Sequence, residues 1–344
     1  MMEDERGKIP SPKKRLFSFH ISPELWEPAT KEEREQLVQM RPSTTYWKDA
    51  MRRFRKNKVA VTCAWLVVAV MAFAWIGPFL MPYSYDQINR GHERLTPMLQ
   101  PYFHPFGTDQ LGRDLMVRVM IGTRISLAIG IVSSIIILVI GATYGAVAGY
   151  LGGRVDNVMM RIAEVLWSLP DVLVVILLGV VLKEPIQALF DSGSFRAIGR
   201  LGTSLLSIFI TFALIYWVNM ARIVRGQILV LKSSEYVLSA RAFGANSGRI
   251  IFKHMLPNCV GAIIVTTMFQ VPMAIFTEST LSFIGLGVST PMASLGSLVS
   301  DALNGYQSHP HRLLIPAAMI ALIMLALNQM GDGLRDALDP RTRD

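Results

Sequence analysis

The sequence predicts an all-α, polytopic membrane protein with six transmembrane helices, and three observations carry that prediction. Of 344 residues, 51% are hydrophobic and 17% charged, with a mean hydropathy of +0.39, too apolar a balance for a soluble domain. Six mostly uncharged runs reach the roughly 20 residues that a helix needs to cross about 30 Å of hydrocarbon. They are Val59–Leu80, Ile125–Leu151, Val158–Leu182, Ser204–Val224, Cys259–Leu281 and Leu313–Met330. Removing them leaves no stretch long enough for a soluble domain of any size.

Taken in order, residues 1–44 mix charges with prolines, lack a sustained period and read as a tail. Residues 45–58 read as an amphipathic interfacial helix, with Tyr46, Trp47, Met51 and Phe54 on one side and bases on the other. Residues 59–82 form the first crossing. Because about 58 largely polar residues precede it, no signal peptide is expected. Residues 83–124 form a loop on the far side, 125–335 a core of five further crossings, and 336–344 a second tail. Glu164, Pro170 and Asp171 interrupt the third crossing.

Charge fixes the expected orientation. Arg52, Arg53, Arg55, Lys56 and Lys58 abut the first crossing, which places the N-terminus in the cytoplasm, and six crossings return the C-terminus there. The loop 225–258 then also falls inside, in keeping with Arg225, Lys232, Arg241, Arg249 and Lys253. Arg90, Arg94, Arg113, Arg118 and Arg124 in the far loop run against the rule, among the acids Asp86, Glu93, Asp109 and Asp114.

The net charge of +9 flanks apolar spans without a nucleic-acid-binding fold, so the expected contact is anionic membrane lipid and not nucleic acid. Cys63 and Cys259 sit near the inner ends of their spans, where no disulfide is expected. Catalytic constellations are missing: the sequence holds no H-E-x-x-H, no G-x-S-x-G and no paired Cys-x-x-Cys, and its six histidines do not cluster. His309 and His311 bracket Pro310 as surface histidines rather than metal ligands. No G-x-x-x-x-G-K-[ST] loop is present. An enzyme is not expected, and if the protein is driven by ATP, the ATPase is another chain.

The stretch SARAFGANSGRIIFKHMLPN, from Ser239 to Asn258, is neither apolar enough to span nor polar enough to be a tail. Ser233 or Ser234 can cap a short helix that places Tyr236, Ala240 and Phe243 on one face, and Gly244 stops it. Asn246 or Ser247 can cap a second helix from about Gly248 to Met255, which Pro257 discourages from continuing. Such an elbow suits a groove on a soluble partner, to which it would relay rigid-body movement. An ordinary loop resting on lipid headgroups fits the spacing equally well.

The residues resemble a known pattern. Ala240, Gly244 with Ala245, and Leu256-Pro257 thirteen residues beyond the glycine are similar to the E-A-A loop of ABC importer permeases, although Leu238 replaces its glutamate and His254 its isoleucine. FGTDQLGRDLMVRVMIGTRISLAIG from Phe106, YLGGRVDNVMMR from Tyr150, MARIVRGQ from Met220, LSFIGLG from Leu281 and GDGLRDALDP from Gly331 resemble the C-type permease of oligopeptide and dipeptide importers. That resemblance spans roughly Tyr46 to Arg343. The N-terminal tail, MARIVRGQ and LVSDALNGY look more like the oligopeptide branch than the dipeptide or nickel branches, while Leu295-Gly296 stands where relatives have Trp-Gly.

The resemblance implies a type I ABC importer permease in a bacterial plasma membrane. It also implies a homologous B-type permease as partner, two ATPases carrying ATP and magnesium, an extracytoplasmic peptide-binding protein, and no cofactor on this chain. Coupling to the ATPases through 233–258 would fall to Ala240, Gly244, Ala245, Leu256 and Pro257, with Arg241 and Arg249 adding electrostatic contacts. Acids within the spans are the other candidates. Asp171, after Pro170, is read either as lining the path and meeting a peptide amine or as pairing with a neighbouring helix. Glu278, before LSFIGLG, is read as a gate or a contact with the delivering protein. A secondary carrier would need ion-coupling acids at mid-membrane, where only Asp171 qualifies, and no internal repeat is evident.

Overall fold

The computed structural model describes residues 45–191, 203–288 and 292–339, and the expected tail 1–44 lies outside them. Six helical segments are long and apolar enough to cross a membrane, and the chain is a multi-pass membrane protein. No strand forms among the described residues; two isolated bridges, Met98 with His104 and Thr108 with Asp114, shape the loop before the second crossing.

Helix α1 (Tyr46–Lys56) is the amphipathic element, with Trp47 and Met51 exposed. It stops short of the expected residue 58, because Asn57 turns to cap α2 (Lys58–Trp75), its Oδ1 accepting the Ala60 amide at 3.1 Å. A short turn, α3 (Gly77–Leu80), follows. The second crossing, α4 (Leu115–Leu151), is 37 residues or about 55 Å long. It begins ten residues before the expected Ile125, so the far loop ends at Asp114 rather than 124.

The expected third crossing, Val158–Leu182, is corrected. Pro170 splits it into α5 (Gly153–Ser168) and α6 (Asp171–Val181), and the span runs from Val172 through α7 (Lys183–Asp191) to Leu189. Leu169 and Pro170 are extended, as expected for a proline and the residue before it. The fourth crossing joins α8 (Thr203–Ile215) and α9 (Trp217–Leu231), seven residues past the expected Val224. The elbow holds α10 (Glu235–Ala242) and α11 (Ser247–Arg249), and leads into α12 (Val260–Phe283). Helix α13 (Leu295–Ala302) and the last crossing α14 (His311–Leu338) complete the chain, α14 extending into the expected tail 336–344.

Helix α4 is the axis of the bundle and packs most extensively on α9, then on α12, α2 and α8. Small residues permit this approach, since lipid gives helices little reason to associate except close packing. A Cβ at Gly145 would collide with the Ala221 carbonyl oxygen of α9, and one at Gly333 of α14 with Ala60 of α2. The largest core cluster runs from Ile129 through Met220 and Ile228 to Val237, Ile250 and Met255. The inner face of the elbow therefore belongs to the bundle core.

Candidate functional site

The elbow follows Ser233 and Ser234, whose hydroxyls turn back to the Val230 and Leu231 carbonyls. Ser234 occupies the cap position of α10, but its side chain bonds no amide of that helix, contrary to the expected capping role. Helix α10 ends in a Schellman turn. The Ala245 amide donates to the Ala240 carbonyl and the Gly244 amide to the Arg241 carbonyl, both at 3.0 Å, with Gly244 at φ +78°. Ala240 and Ala245 close that turn and pack together on the core cluster. The spacing of Ala240, Gly244 and Ala245 is thus the spacing of a rigid corner.

The second arm departs from expectation. Asn246 caps it, Oδ1 accepting the Arg249 amide at 2.8 Å. The chain then widens into a π turn over Ile250–Met255 and tightens into a 3-10 turn over Leu256–Cys259. Pro257 does not end the helix, because this change of pitch seats a residue without an amide, and the Asn258 side chain donates to the His254 carbonyl at 2.5 Å. Ser247–Phe283 is one continuous spanning segment of 37 residues.

The faces also differ from expectation. Val237 turns inward and is fully buried, with Ala240, Ala245 and Leu256 packed beside the same cluster. Phe243 points away from the bundle and is 91% exposed, and Leu238, Tyr236 and Phe252 are exposed as well. Pro257, Arg249 and Lys253 are exposed too. Arg241 lies 5.6 Å from the Tyr150 ring, with Lys232 5.8 Å from the same ring, so Tyr150 at the end of α4 holds the elbow by two cation–π contacts.

Beneath the elbow, Asp156 of α5 takes a two-pronged bond from Arg225 of α9, at 2.5 Å from Nε and 2.7 Å from Nη2. Sequence reasoning placed both residues in family-like blocks without assigning a role. The available signal was an acid and a base at the ends of two neighbouring apolar runs. Arg161 and Glu164 pair at 3.1 Å within α5, as their spacing predicts.

The acid candidates fall elsewhere. Asp171 is the first residue of α6 rather than mid-span, and its side chain lies outside the described residues. Glu278, on α12, is fully buried against α4, accepting hydroxyls from Ser126 at 3.0 Å and Ser282 at 2.7 Å. The elbow and Glu278 are not brought together, but α12 joins them.

The far loop is held by charge. Asp109 accepts the Leu111 and Arg113 amides, the Arg113 guanidinium at 2.6 Å and that of Arg118, which also reaches Asp301 at 3.5 Å. Burial raises the Asp109 carboxyl, but the Arg118 charge and the Arg113 contacts outweigh it and hold the carboxyl below its ordinary value. Asp114 caps α4 through the Val117 amide and bonds the buried His104 ring at 2.8 Å. Arg124 donates to the Ala74 carbonyl at the end of α2. Three of the five arginines that run against the orientation rule, Arg113, Arg118 and Arg124, therefore have partners within the chain.

A six-span bundle with a stiff exposed elbow at one end and an ordered loop at the other has the build of a membrane transport subunit. The chain belongs to the family described as binding-protein-dependent transport system inner membrane component, whose pattern matches residues 141–344. The N-terminal TM domain of oligopeptide transport permease C matches residues 45–105. The chain is 42% identical to the oligopeptide transport system permease protein OppC of Bacillus subtilis over 94% of its length and 99% of the relative's. It is 46% identical to the dipeptide transport system permease protein DppC of the same organism, over 93% and 94% of the two chains. Against the oligopeptide permease of Escherichia coli K12 the identity is 40%, over 86% and 92%. The family resemblance read from the motifs is borne out.

Proposed function

We propose that this chain is the C-type permease subunit of an ATP-driven peptide importer, coupled to separate ATPase chains through the elbow. The observation that carries the proposal is the elbow itself: an aromatic knob, Phe243, is 91% exposed at a corner whose inner face is locked into the core. A knob on a rigid mount transmits push and pull, whereas a loop resting on headgroups needs no such mount. Bases at Arg249 and Lys253 would meet acidic groups around the partner's pocket.

In this reading a homologous B-type permease completes the pathway, two ATPases bind ATP and magnesium beneath the elbows, and an extracytoplasmic binding protein delivers the peptide. Closure of the ATPases around ATP drives the elbows so that the cavity opens outward, and hydrolysis with product release turns it inward. Both termini and the elbow face the cytoplasm of a bacterial plasma membrane, following the bases before α2. No cofactor is assigned to this chain. Oligopeptides are the proposed cargo, supported by the tail and the LVSDALNGY stretch; the 46% identical dipeptide permease favours a second reading, dipeptides.

The test is a cysteine scan at Phe243, Ala245 and Arg249 in cells expressing the neighbouring transport genes. Crosslinks from these positions to a nucleotide-hydrolysing chain are expected. Failure to capture one, or peptide uptake by the purified chain alone in vesicles, overturns the proposal.

A further inference from the structure

Glu278 has no lysine, arginine or histidine within ion-pair distance among the described residues, and it is fully buried. An acid buried in a membrane bundle is costly unless something answers its charge. Here hydroxyl relays answer it, and their donors all run toward the carboxylate. On one side the Leu295 amide donates to Ser126 Oγ at 3.3 Å, and that hydroxyl donates to Oε2 at 3.0 Å. On the other, the Val288 amide and the Ser294 hydroxyl reach Ser282 Oγ at 3.2 Å and 3.0 Å, and that hydroxyl donates to Oε1 at 2.7 Å.

Two of the three outer donors, the Leu295 amide and the Ser294 hydroxyl, lie at the N-terminus of α13 or just before it. Ser294 caps that helix in a reciprocal capping box with Ser297, so the partial positive charge of its first turn is directed through two serines onto the carboxylate. The packing leaves no slack: a Cβ at Gly296 would collide with the Ser279 backbone, and one at Gly287 with Ser282. Glu278 thereby fastens α13 to α4 and α12.

Glu278 also lies on the segment that begins in the elbow. Ser247–Phe283 is continuous, and Glu278 stands roughly 45 Å along it from Ser247. We propose that Glu278 is the positioning residue that ties movement of the elbow, carried along α12, to the placement of α13 at the opposite end of the bundle. A carboxylate serves because both of its oxygens accept; a glutamine of the same shape accepts at one and must break a relay. This inference rests on the elbow as the input site.

The test uses the complete importer reconstituted in vesicles, with a radiolabelled alanine tetrapeptide as cargo, and measures peptide moved per ATP hydrolysed. Glu278→Gln is expected to lower that ratio by about tenfold, the scale of one lost hydrogen bond to a charged group, while the permease still copurifies with its ATPases. Ser126→Ala, which opens one relay with little change of volume, should lower the ratio in the same direction by less. A second readout needs no partners: in the isolated chain in micelles, Glu278→Gln should speed hydrogen exchange at the Leu295 and Ser297 amides.

An unchanged ratio in Glu278→Gln overturns the inference. So does an equal fall of uptake and hydrolysis, which marks a merely structural role. If Glu278→Gln does not fold, Ser126→Ala decides by the same two measurements. Absence of ATPases from the wild-type preparation would instead overturn the elbow reading.

Discussion

The two ends of the bundle are built on opposite principles. At the elbow the backbone makes the shape, through a Schellman turn, an Asn cap and a π turn, while charged and aromatic side chains are left outside. At the loop end the side chains make the shape: Asp109, Arg118, His104 and Asp114 are buried and bonded to one another or to backbone amides, and Glu278 is buried and bonded to serine hydroxyls. An end whose buried acids are tied to bases, amides and hydroxyls is held in place. The elbow instead leaves Phe243, Leu238 and Phe252 exposed.

Mutations should separate the ends in order of size. Arg118→Leu takes its guanidinium away from the buried Asp109, and removal of one member of a buried pair costs about 3–5 kcal/mol. Thermal unfolding in detergent should show the loss, whereas Arg249→Ala at the exposed elbow should stay within about 0.5 kcal/mol. A comparable loss at both ends would break the comparison.

Phe243→Ala reverses the pattern. Its ring touches solvent, so stability should hardly move, but an exposed aromatic anchor is worth about 2 kcal/mol at a partner surface, roughly thirtyfold in affinity. Binding to the ATPase measured by titration calorimetry in micelles checks this, and equal affinity would remove the knob from the coupling surface. Gly244→Ala comes next. Open space surrounds Gly244, so only the left-handed backbone resists a methyl, at about 1 kcal/mol, and Gly244→Asn should cost less.

The smallest effect is a pH dependence confined to the loop end. Asp109 has its carboxyl held below the ordinary 3.8, so its contribution is fully present above about that value and is lost as pH falls through the lower, folded value. Limited proteolysis of the loop should therefore accelerate only in acid below that value, and Asp109→Asn should be pH-independent across the same window. An acid-induced change of equal size at the elbow would show that the two ends do not differ in this respect.

The number of crossings was legible because hydrocarbon thickness sets a length that composition alone can meet. Their limits were not. The expected second span stopped short of Arg118 and Arg124, and the fourth at Arg225, yet α4 and α9 continue through all three. Each arginine is neutralised or bonded by a group distant in sequence, at Asp109 and Asp301, at Ala74 and at Asp156. The elbow's glycine corner was legible because a left-handed stop needs glycine locally. Which face looked outward was not, since Val237 and Phe243 are both apolar and only the bundle distinguishes them.

By itself, then, the sequence determined what local chemistry dictates: six apolar lengths, a corner at Gly244, a cap at Asn246, and the family blocks that carry the resemblance. Tertiary structure alone decided that Pro257 could sit within a continuous segment, that Phe243 faces out, and that Glu278 is fastened by serines from α4, α12 and the cap of α13. The reason is physical. Pitch, exposure and the partner of a buried charge depend on atoms brought close by packing, and Ser126 stands 152 residues from the carboxylate it serves.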